Sequence, residues 1–170
     1  KTAKEFMKMI MPSHAKNINE YKEATPIFNY YGVEPQLAAM YDPIVAMKSG
    51  GYIVINSTEA MISIDVNSGR STGGRNVEDT ATATNIEAAE EIARQLKLRD
   101  LAGLVVIDFI DMINHRHRRQ VERALKDALK HDRAKIQVGR ISPFGLLEMS
   151  RQRLRPSITE INMVECPSCK

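Results

Sequence analysis

Residues 60–67 read Ala-Met-Ile-Ser-Ile-Asp-Val-Asn and residues 103–108 read Gly-Leu-Val-Val-Ile-Asp; these two stretches decide the fold. In the first, apolar and polar residues alternate, so a strand places Ile62, Ile64 and Val66 on one face and Ser63, Asp65 and Asn67 on the other. In the second, residues 104–107 form a continuous apolar run, expected of a strand buried on both faces, and Asp108 falls at its C-terminal end. Between them lies a glycine-containing loop over residues 68–75, then Asn76 as a helix cap with Glu78 and Asp79 in the first turn. That helix runs to about Leu98 on an apolar stripe of Ile86, Ala89, Ala93 and Leu96. A strand, a helical crossover and a second strand read as parallel neighbours, which brings Asp65 and Asp108 to the same edge of a sheet.

Working outward, residues 44–48 and 52–55 read as two strands joined by the Ser49-Gly50-Gly51 turn. Downstream, residues 114–130 have a helical pattern with Val121, Ala124, Leu125, Ala128 and Leu129 facing inward, residues 135–139 read as a strand, and residues 144–153 as a short helix carrying Leu146, Leu147 and Met149. The order indicates an α/β fold, a mixed sheet with flanking helices. Upstream, residues 1–11 read as a helix stopped at Pro12, and residues 13–43, with Pro26, Gly32, Pro35 and Pro43, as irregular chain holding at most one short helix near residues 36–40.

With 170 residues, 43% hydrophobic and 26% charged, the chain is ordinary globular material rather than disordered or fibrous. No apolar run approaches the roughly 18 to 20 residues of a membrane helix, and no signal-peptide layout opens the chain, so a soluble, cytoplasmic protein is expected. A start at Lys1 and a CxxC pair one residue from the end suggest a piece of a longer protein. The net charge of +3 hides an asymmetry. Residues 1–93 carry 8 basic and 12 acidic side chains and residues 94–170 carry 16 and 9, which makes the second part the polyanion-facing one. With no Trp and 5% aromatic residues, stacking on splayed bases is not expected to be the main mode of binding.

Asp65 and Asp108 are the residues to which chemistry is assigned. Two carboxylates close together repel and need a cation, and Mg²⁺ accepts one or two carboxylates while keeping water and phosphate as further ligands. Asn67 shares the face of Asp65 and can orient a water or a phosphate; Asp111 is either a third acid or a helix cap. The competing reading is that both aspartates merely end strands. The loop over residues 68–75 matches neither the P-loop nor the dinucleotide fingerprint. The four histidines, His14, His115, His117 and His131, form no triad and read as surface residues. Cys166 and Cys169 supply two of the four ligands a structural zinc needs, so a zinc shared with a second chain, a zinc completed by residues beyond the chain, and a redox pair all stay open.

The segments Ser-Ile-Asp-Val-Asn-Ser-Gly-Arg at 63–70, Ile-Asp-Phe-Ile-Asp-Met at 107–112, Phe-Gly-Leu-Leu-Glu-Met-Ser-Arg-Gln-Arg at 144–153 and Cys-Pro-Ser-Cys at 166–169 closely resemble the ribonuclease E/G family of bacterial endoribonucleases, in order and over nearly the whole chain. The resemblance implies a deoxyribonuclease I-like catalytic subdomain over residues 41–163, the end of a ribonuclease H-like subdomain over residues 1–40, and the start of a zinc-link over residues 164–170. It implies Asp65 and Asp108 as catalytic Mg²⁺ ligands, Asn67 as their supporting neighbour, and Cys166 and Cys169 as half of a Zn²⁺ site that joins two protomers, with pairs of dimers forming a tetramer. The implied reaction is water attack on a phosphodiester of single-stranded, AU-rich RNA, leaving 5′-phosphate and 3′-hydroxyl ends, in rRNA and tRNA processing and mRNA decay. RNA contacts are expected among Arg70, Arg75, Arg116, Lys135, Arg140 and Arg151. The family's OB-fold and 5′-end sensor are absent from the chain, degradosome-type partners would bind through segments not present here, and inner-membrane association is left to a full-length parent. The alternative is an inactive fragment that serves as a zinc-linked assembly or RNA-binding scaffold.

Overall fold

The computed structural model describes residues 2–70, 76–164 and 166–168. The chain divides into two compact units, Lys1–Ala38 and Ala39–Lys170. In the first, α1 (Thr2–Ile10) ends where Pro12 forces Met11 out of the helical region, to φ −141° and ψ 84°, and a 3₁₀ turn follows over Pro12–Asn17. Two short helices, α2 (Ile27–Tyr30) and α3 (Val33–Ala39), occupy a stretch expected to be irregular apart from residues 36–40. Pro26 and Pro35 lie at the N-cap of α2 and in the first turn of α3, where a missing N–H costs nothing, so these prolines start helices instead of preventing them.

The second unit is built on a six-stranded mixed sheet of order β1-β2-β3-β4-β6-β5, with β1 Ile44–Ala46, β2 Tyr52–Ser57, β3 Ile62–Asn67, β4 Gly103–Asp108, β5 Ile136–Ile141 and β6 Leu146–Arg151. β3 and β4 are parallel and every other pairing is antiparallel. Two long helices, α4 (Val77–Leu98) and α5 (His115–Leu129), cover one face; a short α6 (Ile158–Asn162) follows the last strand. The core is one cluster in which Ile53, Ile64, Val105, Ile107 and Leu147 of the sheet meet Ala89, Ile92 and Leu96 of α4 and Val121 and Leu125 of α5.

Two expectations are corrected here. Residues 144–153 do not form a helix: Leu146–Arg151 is strand β6, paired with both β4 and β5. Leu147, Met149 and Arg151 are buried while Glu148 and Ser150 are exposed, a period of two, so tertiary pairing overrides the helix propensity of Leu, Glu and Met. Nor is β4 buried on both faces. Val105 and Ile107 are fully buried, yet Leu104 is 45% exposed, because α4 and α5 both pack on the face that carries Val105 and Ile107.

Candidate active site

The alternation of β3 turns Ile62, Ile64 and Val66 toward the helices and leaves Ser63, Asp65 and Asn67 on the opposite face. In the parallel register with β4, Ile64 pairs with Ile107 and Asp65 pairs with Asp108. Register partners on adjacent strands, about 4.8 Å apart, point the same way, so the two carboxylates stand side by side at the C-terminal edge of the sheet, where open α/β sheets bind ligands. Both residues are exposed. Partial loss of water around the Asp108 carboxyl, reinforced by the charges of Asp65 and Asp111, still pushes it above the usual range. Asn67 donates from Nδ2 to Asp65 Oδ2 at 2.8 Å, which fixes one oxygen of that carboxylate. Among the described residues no three His, Cys, Asp or Glu side chains converge as a metal cage. Two mutually repelling carboxylates with an adjacent amide still suit a hard cation that keeps most of its ligands as water and phosphate.

The segment that follows Asp108 is held from three sides. Asn85, fully buried in α4, donates from Nδ2 to the Ile110 carbonyl at 2.8 Å and accepts from the Ile110 N–H at 3.0 Å. Glu78, at the start of α4, accepts from the Asn114 N–H at 2.8 Å and lies 3.0 Å from His117 Nδ1; the Asn114 hydrogen bond is the main cause that holds its carboxyl below the ordinary range. Gly145, in the β5–β6 turn, lies against the third side at φ +83°, and a Cβ there would come within 3.2 Å of Asp111 Oδ1 and the Phe109 carbonyl oxygen. Neither Asn85 nor Glu78 was singled out as a site residue from sequence. The one available signal for Asn85 was a polar side chain beside the apolar stripe of α4. The surface reading of His117 also changes: its side chain is 23% exposed and engaged with Glu78.

The basic candidates separate. Arg70 is exposed just beyond β3, and Arg116 is exposed in the first turn of α5. Arg140 is exposed near the end of β5 that lies at the carboxylate edge, whereas Lys135 precedes the opposite end of β5. Arg151 is not available to RNA. Its side chain and that of Asp132 are each 3% exposed; its Nε and Nη2 donate to Asp132 at 2.8 and 3.1 Å, and Nη1 to the Leu101 carbonyl at 2.8 Å. Arg151 closes the core, while Arg153 and Arg155 pair outside with Glu160 and Asp100. Arg75 and Cys169 lie outside the described residues; Cys166 is exposed.

A cleft of about 500 Å³ opens at the other edge of the sheet, between the Ser57–Met61 turn, the start of β4 and α6. Its Arg153 and Glu160 already neutralise each other at 2.7 Å and its Arg151 is engaged with Asp132, which leaves the exposed Glu59 as its one charged side chain without an ion pair among the described residues. The carboxylate edge has the opposite character, and the site is assigned to it. No helix among the described residues is long and apolar enough to cross a membrane.

The chain is 53% identical to ribonuclease E of Haemophilus influenzae over 168 residues, 99% of this chain and 18% of that protein. It is 53% identical to ribonuclease E of Escherichia coli over 93% of this chain and 15% of that protein, and 45% identical to ribonuclease G of the same species over 97% of this chain and 34% of that protein. The chain therefore spans less than a fifth of the length of these ribonuclease E relatives and about a third of the ribonuclease G. The model of the ribonuclease E/G family matches residues 1–154, and the chain belongs to that family.

Proposed function

We propose that this chain carries the catalytic centre of a Mg²⁺-dependent endoribonuclease that hydrolyses single-stranded, AU-rich RNA. The observation that carries the reading is the Asp65–Asp108 register pair at the C-terminal edge of β3 and β4. The donor set fits the metal: two adjacent carboxylates, one of them held above its usual range by partial loss of water and by its acidic neighbours, gain from a divalent cation and lose by its removal. Asp65 and Asp108 would hold it. A Mg²⁺ ion there supplies a lowered water pKa and offsets the charge that develops on the phosphate oxygens. Asn67 keeps the Asp65 carboxylate in one orientation, and the Asn85 clamp on Ile110 keeps Asp108 from drifting with its loop. Water adds to phosphorus as the bond to the 3′ oxygen breaks, so the products carry 5′-phosphate and 3′-hydroxyl ends.

On the same reading, residues 41–163 are a deoxyribonuclease I-like subdomain and residues 1–40 the end of a ribonuclease H-like one. Cys166 and Cys169 contribute half of an intersubunit Zn²⁺ site in a dimer that doubles to a tetramer. The test is cleavage of a short single-stranded RNA with Mg²⁺. Asp65→Asn and Asp108→Asn should each abolish cleavage and leave RNA binding intact; full cleavage by either variant sinks the assignment. RNA binding without any Mg²⁺-dependent cleavage by the unmodified chain would instead support a scaffold. For the zinc, Cys166→Ala with Cys169→Ala should give a smaller, zinc-free species in sedimentation, and unchanged size and zinc content count against the link.

A further inference from the structure

A groove of about 650 Å³ runs along the outer side of α5 and is closed by the end of β5. Six cationic side chains line it, Arg118, Arg119, Arg123, Lys126 and Lys130 from α5 and Arg140 from β5, against two carboxylates, Glu122 and Asp127. Those carboxylates are already used. Glu122 accepts the Ile141 N–H at 2.8 Å, which ties α5 to β5, and Asp127 is paired with Lys130 at 2.7 Å and more loosely with Arg123 at 3.9 Å. Arg119, Lys126 and Arg140 have no ion pair among the described residues.

Arg118 is held only loosely by the protein itself. Its Nε is shut off from solvent with no hydrogen-bond partner, while its Nη2 reaches the Ile113 carbonyl at a long 3.4 Å. Glu122 and Asp127 stand three or four residues from the α5 cations, as acids do on an ordinary solvated helix face, but two carboxylates against six cations leave the groove with a net positive charge of four.

The groove also starts at the right place. Asp108 pairs with Leu146 at the head of β6, and Ile141 pairs with Leu147, so Arg140 and Ile141 lie at the carboxylate edge. α5 begins a few residues after Asp108 and leads away from that edge to Lys130. We infer that the α5–β5 groove is a binding track for the phosphate backbone of single-stranded RNA, leading away from the Asp65–Asp108 edge. This rests on the endoribonuclease reading and names where its substrate runs. The track grips phosphates more than bases: its lining is dominated by guanidinium and ammonium groups, with no Phe, Tyr or Trp and a single imidazole, His115.

The test is binding of a short single-stranded RNA to the full chain with Asp108→Asn, which separates binding from cleavage, over a range of salt. Adding Arg119→Gln, Lys126→Gln and Arg140→Gln, all at exposed positions, should weaken binding about tenfold or more at moderate salt and flatten the log–log salt slope by about 2 units. A control triple of equal charge change, Lys4→Gln, Lys8→Gln and Lys16→Gln, should leave both unchanged. With Asp108 intact, the groove triple should raise KM and leave kcat within about twofold, since uniform binding alone is removed. Unchanged affinity and slope in the groove triple, or an equal loss in the control triple, overturns the track and leaves the catalytic reading standing. No RNA binding by the Asp108→Asn chain at any salt overturns both.

Discussion

The two edges of the sheet treat charge in opposite ways. At one edge Arg151 and Asp132 are withdrawn from water and satisfy each other, and Arg99 donates to Gln95 and to the carbonyls of Asp42 and Ala39. At the other, Asp65 and Asp108 are register partners of like sign, with no basic side chain paired to either among the described residues. The first arrangement is what folding requires of a buried charge. The second works against folding and is expected where a ligand completes the charge balance.

Substitutions that remove the character of either edge should have effects of graded size. The largest effect is expected of Asp108→Asn: loss of cleavage, with thermal stability at neutral pH in a chelator unchanged or raised. The sign follows from the elevated Asp108 pKa, since the folded state holds that proton more tightly than the unfolded chain and its stability falls as pH rises through the folded value. Melting curves of the variant and parent at low and neutral pH check it; a large loss of stability would make Asp108 a structural residue.

Next comes Arg151→Ala, which strands Asp132 in the core and should cost about 3–5 kcal/mol in denaturant titration. Arg151→Met combined with Asp132→Leu should recover most of that loss, as a buried ion pair contributes less than breaking it costs. Cleavage per folded molecule should not change in either variant.

Asn85→Leu lies between the two edges in character. It removes both hydrogen bonds to Ile110 and should cost about 1–3 kcal/mol, together with a 10- to 100-fold fall in kcat through misplacement of Asp108. Equal loss of binding and turnover would reduce it to a packing residue.

The smallest effect is the acid response of the paired edge. Burial raises the Asp132 carboxyl, but the hydrogen bonds from Arg151 and the Ala134 N–H and the charges of Arg151 and Lys97 outweigh it and hold it below the ordinary range. That stabilisation is present above the unfolded value, about 4, and disappears as pH falls through the folded one. Urea titrations at descending pH should show the loss in the parent and not in the Arg151→Met, Asp132→Leu chain.

The same contrast explains what could be read from sequence. Asp65 and Asp108 were legible because strand alternation and strand ends are local patterns, and the crossover helix between them dictates parallel neighbours. Arg151 was not, since its burial depends on Asp132 from a turn 19 residues earlier, and a chain of alternating arginines looks like a surface. The sequence of β6 favours helix through its Leu, Glu and Met, and the two sheet partners that make it a strand are not visible locally. The half-open face of β4 follows from α4 and α5 choosing the same side, a tertiary fact. Asn85 escaped notice because its target is backbone, which leaves no signature in residue type.

The Asp65–Asp108 pairing has a consequence for how the chain tolerates insertions and deletions. Between β3 and β4 the chain can lengthen in the loop before α4 without moving either carboxylate, because the ladder and not the connection sets their alignment. Within β3 no such freedom exists. Deleting a single residue between Ile62 and Asp65 would turn the carboxylate toward Ile92 and Leu96 in the core and a β-branched apolar side chain toward the solvent edge, ending the chemistry and the fold in one step.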